Sequence, residues 1–208
     1  MKVKQWLLTL ILIIGAGVVG AAEPGKDPVG AAVKTYFDQA FERLRLVAEK
    51  HPTVDSLRRD MKPLVDATTG FFGGTLIDTN FVIIQVYFKR DALARGYDLK
   101  KVKQLTGFWK KMREAPTPQL SEPGHGNLIQ PRLVAMRYPV VVEGKLQSVV
   151  SMMVRTESFL KETGLDQLAG CRITCNGVIA EAIGELTGDL NRVELDLPAN
   201  RWLIEYKR

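Results

Sequence analysis

The sequence predicts an α+β fold in which a long N-terminal helix packs on an antiparallel sheet that carries an inserted helix and loop. Three observations lead to this prediction. Apolar residues recur every three or four positions over residues 29–50, which is typical of one face of a helix. Two later pairs of β-rich segments flank Glu143-Gly144 and Asn176-Gly177, which are tight-turn signals. A second helical pattern and a proline-containing loop lie before these two hairpins.

The helices follow from periodicity and end signals. His51-Pro52 ends the first helix, because a residue before proline disfavours the helical conformation. A shorter helix is expected over residues 54–66, interrupted by Pro63, and Asp98 is expected to cap a third over residues 99–113. The apolar stripe of the first helix consists of Val33, Phe37, Ala40, Phe41, Leu44, Val47 and Ala48.

The strands are predicted from runs of β-branched and aromatic residues between turn residues. In chain order they cover residues 75–77, 81–88, 133–142, 145–155, 172–175, 178–182, 192–197 and 202–206, with a short helix over residues 157–162. Cys171 and Cys175 lie four residues apart on one predicted strand, so their separation is about 13 Å. A disulfide requires Cα atoms within about 7 Å, so both thiols are expected to be free.

The first 22 residues have the composition of an export signal. Lys2 and Lys4 precede an uncharged stretch rich in Leu and Ile, which closes on the small residues Gly20-Ala21-Ala22. We expect cleavage after Ala22, and the alternative is an uncleaved signal anchor. The protein is therefore expected in the periplasm or outside the cell, or anchored to the inner membrane if the signal is retained.

The rest of the chain is interpreted as a linker and one domain. Residues 23–28 contain proline and glycine and form the linker, and residues 29–208 are long enough for a single domain with its own core. No second long apolar run follows the first, so contact with a membrane is expected only through an uncleaved signal.

Composition and motifs argue against several function classes. The net charge of +6 is spread along the chain without basic blocks that alternate with aromatic residues, so nucleic acid is not an expected partner. The sequence contains no phosphate-binding loop, dinucleotide-binding fingerprint, serine-hydrolase nucleophile elbow or metal-ligand spacing. We therefore expect neither a cofactor nor a metal, and we do not expect the protein to be an enzyme. A hydrolase that uses His125, in a glycine-containing loop, remains the least favoured alternative.

The turn at Glu143-Gly144 predicts the register of its hairpin. If Val142 pairs with Lys145, then Val134, Met136 and Tyr138 share a face with Met153, Ser151 and Val149. In the same register Arg132 lies opposite Arg155, and like charges placed opposite each other destabilise a sheet. Either both side chains turn into solvent, or they form an anion-binding end to an apolar pocket.

Several motifs in this order resemble the Cache family of PAS-like extracytoplasmic sensor domains, also called PDC sensors. The similar segments are GTLID from Gly74 to Asp78, a helix that bears Trp109, LSEP from Leu120 to Pro123, YPVVVEGK from Tyr138 to Lys145 and VVSMMV from Val149 to Val154. The resemblance runs from about residue 29 to residue 155, followed by a closing sheet. It implies a single-Cache domain with a small-ligand pocket between the sheet and the inserted helix and loop.

The resemblance also implies which residues line that pocket. Trp109 matches an aromatic pocket residue of the family, but the family's Arg and Tyr beside it are replaced by Gly107 and Lys110. The Asp that grips a ligand amine in amino-acid-binding members is replaced by Met153. A carboxylate or another anion is therefore a better expectation than an α-amino acid. The expected ligand-binding residues are Trp109, Lys110, His125, Arg132, Met136, Tyr138, Ser151, Met153 and Arg155.

The leading functional hypothesis is a ligand-binding sensor module without its own transmitter, which acts in trans on a membrane receptor or kinase in signal transduction or chemotaxis. The second hypothesis is a structural or interaction protein that kept the fold without a ligand. A sensor module predicts polar groups that converge near Trp109. A structural protein predicts that Met136, Tyr138, Met152 and Met153 fill the space instead.

Overall fold

The structure is a computed structural model that describes residues 27–88, 95–121, 123 and 132–208. The predicted signal segment, most of the predicted linker and His125 lie outside the described residues. The helices are α1 (Pro28–Ala48), α2 (Leu57–Asp66), α3 (Thr106–Glu114) and α4 (Thr156–Glu162), with 3-10 turns at Leu99–Lys101, Lys103–Leu105 and Leu165–Gln167. The strands are β1 (Phe71–Asp78), β2 (Ile83–Phe88), β3 (Gln119–Leu120), β4 (Leu133–Val142), β5 (Lys145–Arg155), β6 (Gly170–Cys175), β7 (Val178–Gly184), β8 (Asn191–Leu197) and β9 (Asn200–Lys207).

The nine strands form two antiparallel sheets. The first has the order β2-β1-β5-β4-β3, and the second has the order β7-β6-β9-β8. The α+β class, the N-terminal helix and the inserted helix are confirmed. The last four strands, expected as a closing sheet, form the second sheet.

Helix α1 packs on both sheets and so holds one continuous core. The apolar stripe of α1 is buried, as expected for one face of a helix with 3.6 residues per turn. The Phe37 ring stacks on Phe159 of α4 and contacts Trp202 of β9 edge-on, with ring centroids 5.2 Å apart in both pairs. The helix starts at Asp27, whose carboxylate accepts a hydrogen bond from the Gly30 backbone N–H at 2.8 Å.

The same Asp27 carboxylate links the two ends of the described chain. Its second oxygen accepts a hydrogen bond from the hydroxyl of Tyr206 at 2.6 Å, and both residues are buried. The start of α1 is thereby fixed to the end of β9. In the described residues no helix is both long and apolar enough to cross a membrane.

The hairpin β4–β5 contains a β-bulge that changes its predicted register. Val142 pairs with Lys145 as expected, but the pairing shifts by one residue between Val140 and Val141, so Val140 lies opposite Ser148. Because side chains alternate along a strand, a shift of one residue moves every later partner to the other face. The predicted pairing of Arg132 with Arg155 is wrong, since Arg155 lies opposite Leu133.

The first sheet therefore has two faces with different partners. The helix face packs on α1 and α2 and is built on β4 and β5 by Val134, Met136, Tyr138, Val140, Val150, Met152 and Val154. The opposite face lies under the inserted segment that contains α3, and we call it the insert face. Its strand residues include Gly73, Thr75, Ile77, Ile83, Val86, Phe88, Gln119, Leu133, Ala135, Arg137, Pro139, Val149, Ser151, Met153 and Arg155.

Candidate ligand-binding face

A row of four polar residues crosses the insert face from strand to strand. The strand register places Thr75 opposite Ser151, Ser151 opposite Arg137, and Arg137 opposite Gln119. Thr75, Ser151 and Gln119 are each less than 5% exposed, and Arg137 is partly buried. Buried polar groups are costly in an apolar layer unless they find hydrogen-bond partners, so such a row is the most specific feature of this face.

One end of the row is a hydroxyl pair. The oxygens of Thr75 and Ser151 lie 2.5 Å apart, and either hydroxyl can be the donor. Side chains directly opposite each other on antiparallel strands are close enough for this contact. The pair sits on adjacent strands, β1 and β5, so two well-ordered ladders fix its position.

The two remaining members of the row contact the inserted helix. The guanidinium carbon of Arg137 lies 4.4 Å from the ring centroid of Phe108, within the range of a cation–π interaction. The side-chain N–H of Gln119 donates to the backbone carbonyl of Phe108 at 3.4 Å. Helix α3 is therefore placed over the row by Phe108.

One end of the insert face is filled by apolar side chains. Phe108 and Met112 of α3 pack there on strand residues and on the segment before α3, as a second hydrophobic cluster separate from the main core. This cluster consists of Ile77, Phe81, Ile83, Val86, Leu99, Phe108, Met112 and Val149. The polar row marks the border of this apolar end.

Trp109 and Lys110 lie on α3 beside that cluster. Trp109 packs against Phe81 with ring centroids 6.3 Å apart, and its ring is covered by Lys110 and Arg113 at 5.8 and 5.6 Å. The indole N–H of Trp109 is buried and has no hydrogen-bond partner among the described residues. Trp109 thus contributes an aromatic surface beside the cluster, and its indole N–H is a buried donor without an acceptor among the described residues.

The structure separates the sequence-predicted site residues into distinct groups. Ser151, Met153 and Arg155 lie on the insert face, with Arg155 exposed at its edge and 5.4 Å from the Phe72 ring centroid. Met136 and Tyr138 lie on the helix face, so the prediction that they share a face with Ser151 and Met153 is wrong. The physical reason is the bulge at Val140 and Val141.

Arg132 is the third residue that the predicted register misplaced. Its guanidinium donates from one nitrogen to both carboxylate oxygens of Glu181 on β7, at 2.6 Å each. The Glu181 side chain is 6% exposed, so this ion pair neutralises a buried carboxylate. Arg132 therefore connects the start of β4 to the second sheet instead of lying opposite Arg155.

Sequence reasoning missed three members of the polar row: Thr75, Gln119 and Arg137. With the correct register, alternation along β1, β4 and β5 would have placed Thr75 and Arg137 on the face of Ser151. Gln119 lies on a strand of only two residues, for which periodicity gives no signal. In the described part of the chain no three His, Cys, Asp or Glu side chains come together as metal ligands do.

Solved structures with the same fold are ligand-binding domains of extracellular receptors. An extracellular ligand-binding receptor from Desulfohalobium retbaense superposes with a TM-score of 0.66 and 15% identity over 87% of this chain, which spans only 39% of that protein. The ligand-binding domain of the Pseudomonas aeruginosa amino-acid chemoreceptor PctC, in complex with GABA, superposes with a TM-score of 0.61 and 14% sequence identity. The match covers 86% of this chain and 93% of that one.

A third neighbour is the ligand-binding domain of the Pseudomonas fluorescens chemoreceptor CtaA in complex with L-isoleucine, with a TM-score of 0.59 and 14% identity over 86% of both chains. No protein-family model and no curated protein matches the sequence. The chain therefore has the fold of Cache-type ligand-binding domains, and the predicted fold is confirmed.

Proposed function

We propose that this protein is an extracytoplasmic sensor module that binds a small molecule on the insert face. The observation that carries the proposal is the row of Thr75, Ser151, Arg137 and Gln119, three of them buried and Arg137 partly buried, on a sheet face that is otherwise apolar except for Arg155 at its edge. A mostly apolar surface with a few converging polar groups is typical of small-molecule sites.

The structural neighbours support the proposal by analogy of fold. PctC and CtaA are chemoreceptor domains solved with GABA and L-isoleucine, respectively. Fold analogy alone does not transfer a ligand, so the residues of this chain must decide the ligand class. Gly107, Lys110 and Met153 differ from the residue types that the family resemblance would require for an α-amino acid.

The compartment and partner belong to the same proposal. The export signal at residues 1–22 would deliver the domain to the periplasm, cleaved after Ala22 or retained as an anchor. In either case the module would act in trans on a membrane receptor or kinase. Intact mass of the protein purified from the periplasmic and membrane fractions decides between the two forms, because cleavage removes 22 residues.

A non-catalytic structural or interaction protein is the second candidate function. The observation that favours it is the apolar cluster that fills one end of the insert face with Phe81, Phe108 and Met112. Met136, Tyr138 and Met152 do not cover the insert face, since they lie on the helix face. This candidate therefore requires that Met153 and the inserted segment close the polar row completely.

Two measurements test the proposed function. Native mass spectrometry of the purified protein should show a bound small molecule that is released on denaturation. A thermal-shift panel of carboxylates, amines and nucleobases should give a saturable rise in Tm for at least one compound, because a ligand at about 100 times its Kd stabilises the native state by about 2.7 kcal/mol.

The matched control for this panel compares two serines of β5. Ser151→Ala removes a hydroxyl from the insert face, and Ser148→Ala removes one from the other face of the same strand. Ligand-induced stabilisation should fall in the first variant and persist in the second. A protein that carries no small molecule and responds to no compound contradicts the sensor proposal and favours the structural one.

A further inference from the structure

Strand β7 forms an open edge of the second sheet. In the described part of the chain this sheet has the order β7-β6-β9-β8, so β7 has a hydrogen-bonded neighbour on one side only. Main-chain N–H and C=O groups of alternate residues point away from such an edge and form a template for another strand. Soluble proteins normally shorten, charge or cover an edge of this kind.

The two edge strands of this sheet differ in composition. The exposed side chains of β8, at the opposite edge, include Arg192 and Asp196, and such charges oppose pairing with another chain. The exposed positions of β7 carry no charge, and they are Val178, Ile179, Ala182 and Gly184. The sheet therefore has one charged edge and one apolar edge.

The apolar edge is most exposed just after the turn at Asn176-Gly177. Val178 is 67% exposed and Ile179 is 52% exposed, the two highest values among the large apolar side chains that the structure describes. Glu181 is the one charged residue of β7, but it does not protect the edge, because its side chain is buried against Arg132. Exposed apolar side chains beside an open strand edge are typical of a surface that a partner strand covers.

A β-bulge determines which residues of β7 face outwards. Ala180 is the extra residue of this bulge, so Ile179 and Ala182 lie three positions apart but on the same outer face of the sheet. The pair that closes the turn bonds towards β6, and alternation along the ladder then directs the main-chain groups of Ile179 and Ala182 away from β6. The Ala182 N–H donates only a long hydrogen bond, of 3.2 Å, to the Glu181 carboxylate, and a strand carbonyl would replace it.

We infer that β7 is an interface at which two copies of this chain pair edge to edge, with Ile179 of one copy opposite Ala182 of the other. The two second sheets would then join into one antiparallel sheet of eight strands, since each contributes four. This inference goes beyond the proposed function, because it concerns the second sheet and no ligand takes part.

The edge of β7 is complementary to itself in this antiparallel register. Ile179 and Ala182 meet twice across a two-fold axis, on the same face and with their outward main-chain groups aligned. Glu181 lies opposite Ala180 of the second copy, so the pairing places no like charges directly opposite each other. One strand pair buries less than the roughly 1,200 Å² of stable complexes, so we expect a weak dimer with a Kd of about 10–100 µM.

Sedimentation velocity on the protein purified after export tests the inference over concentrations of about 1–500 µM, which span the expected Kd. Ile179→Lys places a charge on the edge twice in each dimer and should weaken dimerisation at least about 10-fold. Val142→Lys is the matched control, because Val142 is also an exposed apolar residue beside a two-residue turn, but on the first sheet. This control should dimerise like the parent protein.

An exchange of charges between two variants tests the register. Ile179→Lys and Ala182→Glu should each dimerise weakly when studied alone. In an equimolar mixture the introduced lysine of one variant lies opposite the introduced glutamate of the other, so the heterodimer should be about 3- to 10-fold tighter than either homodimer. Salt at about 0.5 M should remove this gain, because exposed charges are then screened.

Hydrogen exchange reports on the strand itself. The amides of Ile179 and Ala182 should exchange more slowly at high protein concentration than at low concentration, whereas those of β8 should not change. Protection of the two amides in the monomer would show that another part of this chain covers the edge, and would overturn the inference.

Three further outcomes overturn the inference. The first is a protein that stays monomeric over the whole concentration range. The second is a dimer that Ile179→Lys leaves intact, or that Val142→Lys weakens equally, when both variants keep the circular dichroism spectrum of the parent. The third is a heterodimer no tighter than the homodimers. Each of these results leaves the proposed ligand-binding function untouched, so the two proposals fail independently.

Discussion

The two faces of the first sheet share the same strands but have different compositions. On the helix face, Met136 of β4 and Met152 of β5 lie opposite each other and are fully buried in a continuous apolar core. On the insert face, the neighbouring positions Arg137 and Ser151 also lie opposite each other and belong to a polar row. Alternation along a strand thus places apolar core residues on one face and the polar row on the other.

The largest effect should come from truncating the helix face. Met152→Ala removes a fully buried side chain and should lower the free energy of unfolding by about 2–5 kcal/mol. Met153→Ala, one residue further on the half-buried insert face, should cost less than about 1.5 kcal/mol. Equilibrium urea unfolding of both variants measures the difference. Equal costs would mean that the insert face is as much a core as the helix face, which would favour the structural candidate.

An intermediate effect is expected where Arg132 leaves the first sheet. Arg132→Gln removes the charge that neutralises the buried Glu181 carboxylate and should lower the free energy of unfolding by about 1–3 kcal/mol. Adding Glu181→Gln should recover part of that loss, because the unpaired charge is removed. Arg155→Gln, at an exposed position, should change stability by less than about 0.5 kcal/mol. Losses that simply add in the double variant would show that the two side chains are not coupled.

A smaller loss of stability is expected at alkaline pH, from ionisable groups buried in the main core on the helix face. Burial raises the pKa of Tyr36 to about 12, with the Glu162 carboxylate as a second cause, and burial together with Glu181 raises the pKa of Cys171 to about 12. Both groups are neutral when protonated, so the native state favours the protonated form. Their stabilisation is complete below the unfolded-state pKa values of about 9–10 and is lost as pH rises towards 12.

Tyr36→Phe tests this pH dependence. The variant keeps the aromatic contact with Phe159 but cannot ionise. Between pH 8 and pH 11 its free energy of unfolding should fall by about 1 kcal/mol less than that of the parent protein, measured by urea unfolding at each pH. Parallel curves would show that the hydroxyl does not contribute to alkaline unfolding.

Most of the secondary structure could be predicted because it depends on local pattern. The bounds of β4 and β5 are the predicted ones, residues 133–142 and 145–155, since a turn signal and β-branched runs define them. Cys171 and Cys175 are not joined by a disulfide, as strand geometry predicted, and both are buried. Helix α3 begins later than predicted, at Thr106, because two 3-10 turns replace its first part.

The site was less predictable because it depends on pairing between strands. The turn at Glu143-Gly144 correctly fixed the first two pairs of the hairpin, but nothing in the sequence marks the bulge beyond them. That single extra residue moved Met136 and Tyr138 to the helix face and Arg137 to the insert face. The predicted register correctly grouped Ser151 with Met153 on one face of β5, because they lie two residues apart on the same strand, but it assigned the wrong β4 residues to that face.

The hydrogen bond between Asp27 and Tyr206 joins residues 179 positions apart in the chain. A short linker could therefore connect residue 207 to residue 27 without disturbing either sheet, and a new opening could be placed in the exposed turn at Glu143-Gly144. In such a circular permutant β4 and β5 would carry the chain ends, while the hydroxyl pair, Arg137 and the core would keep their neighbours. A fluorescent protein fused at the new opening would report whether a ligand that binds at the polar row changes the geometry of β4 and β5.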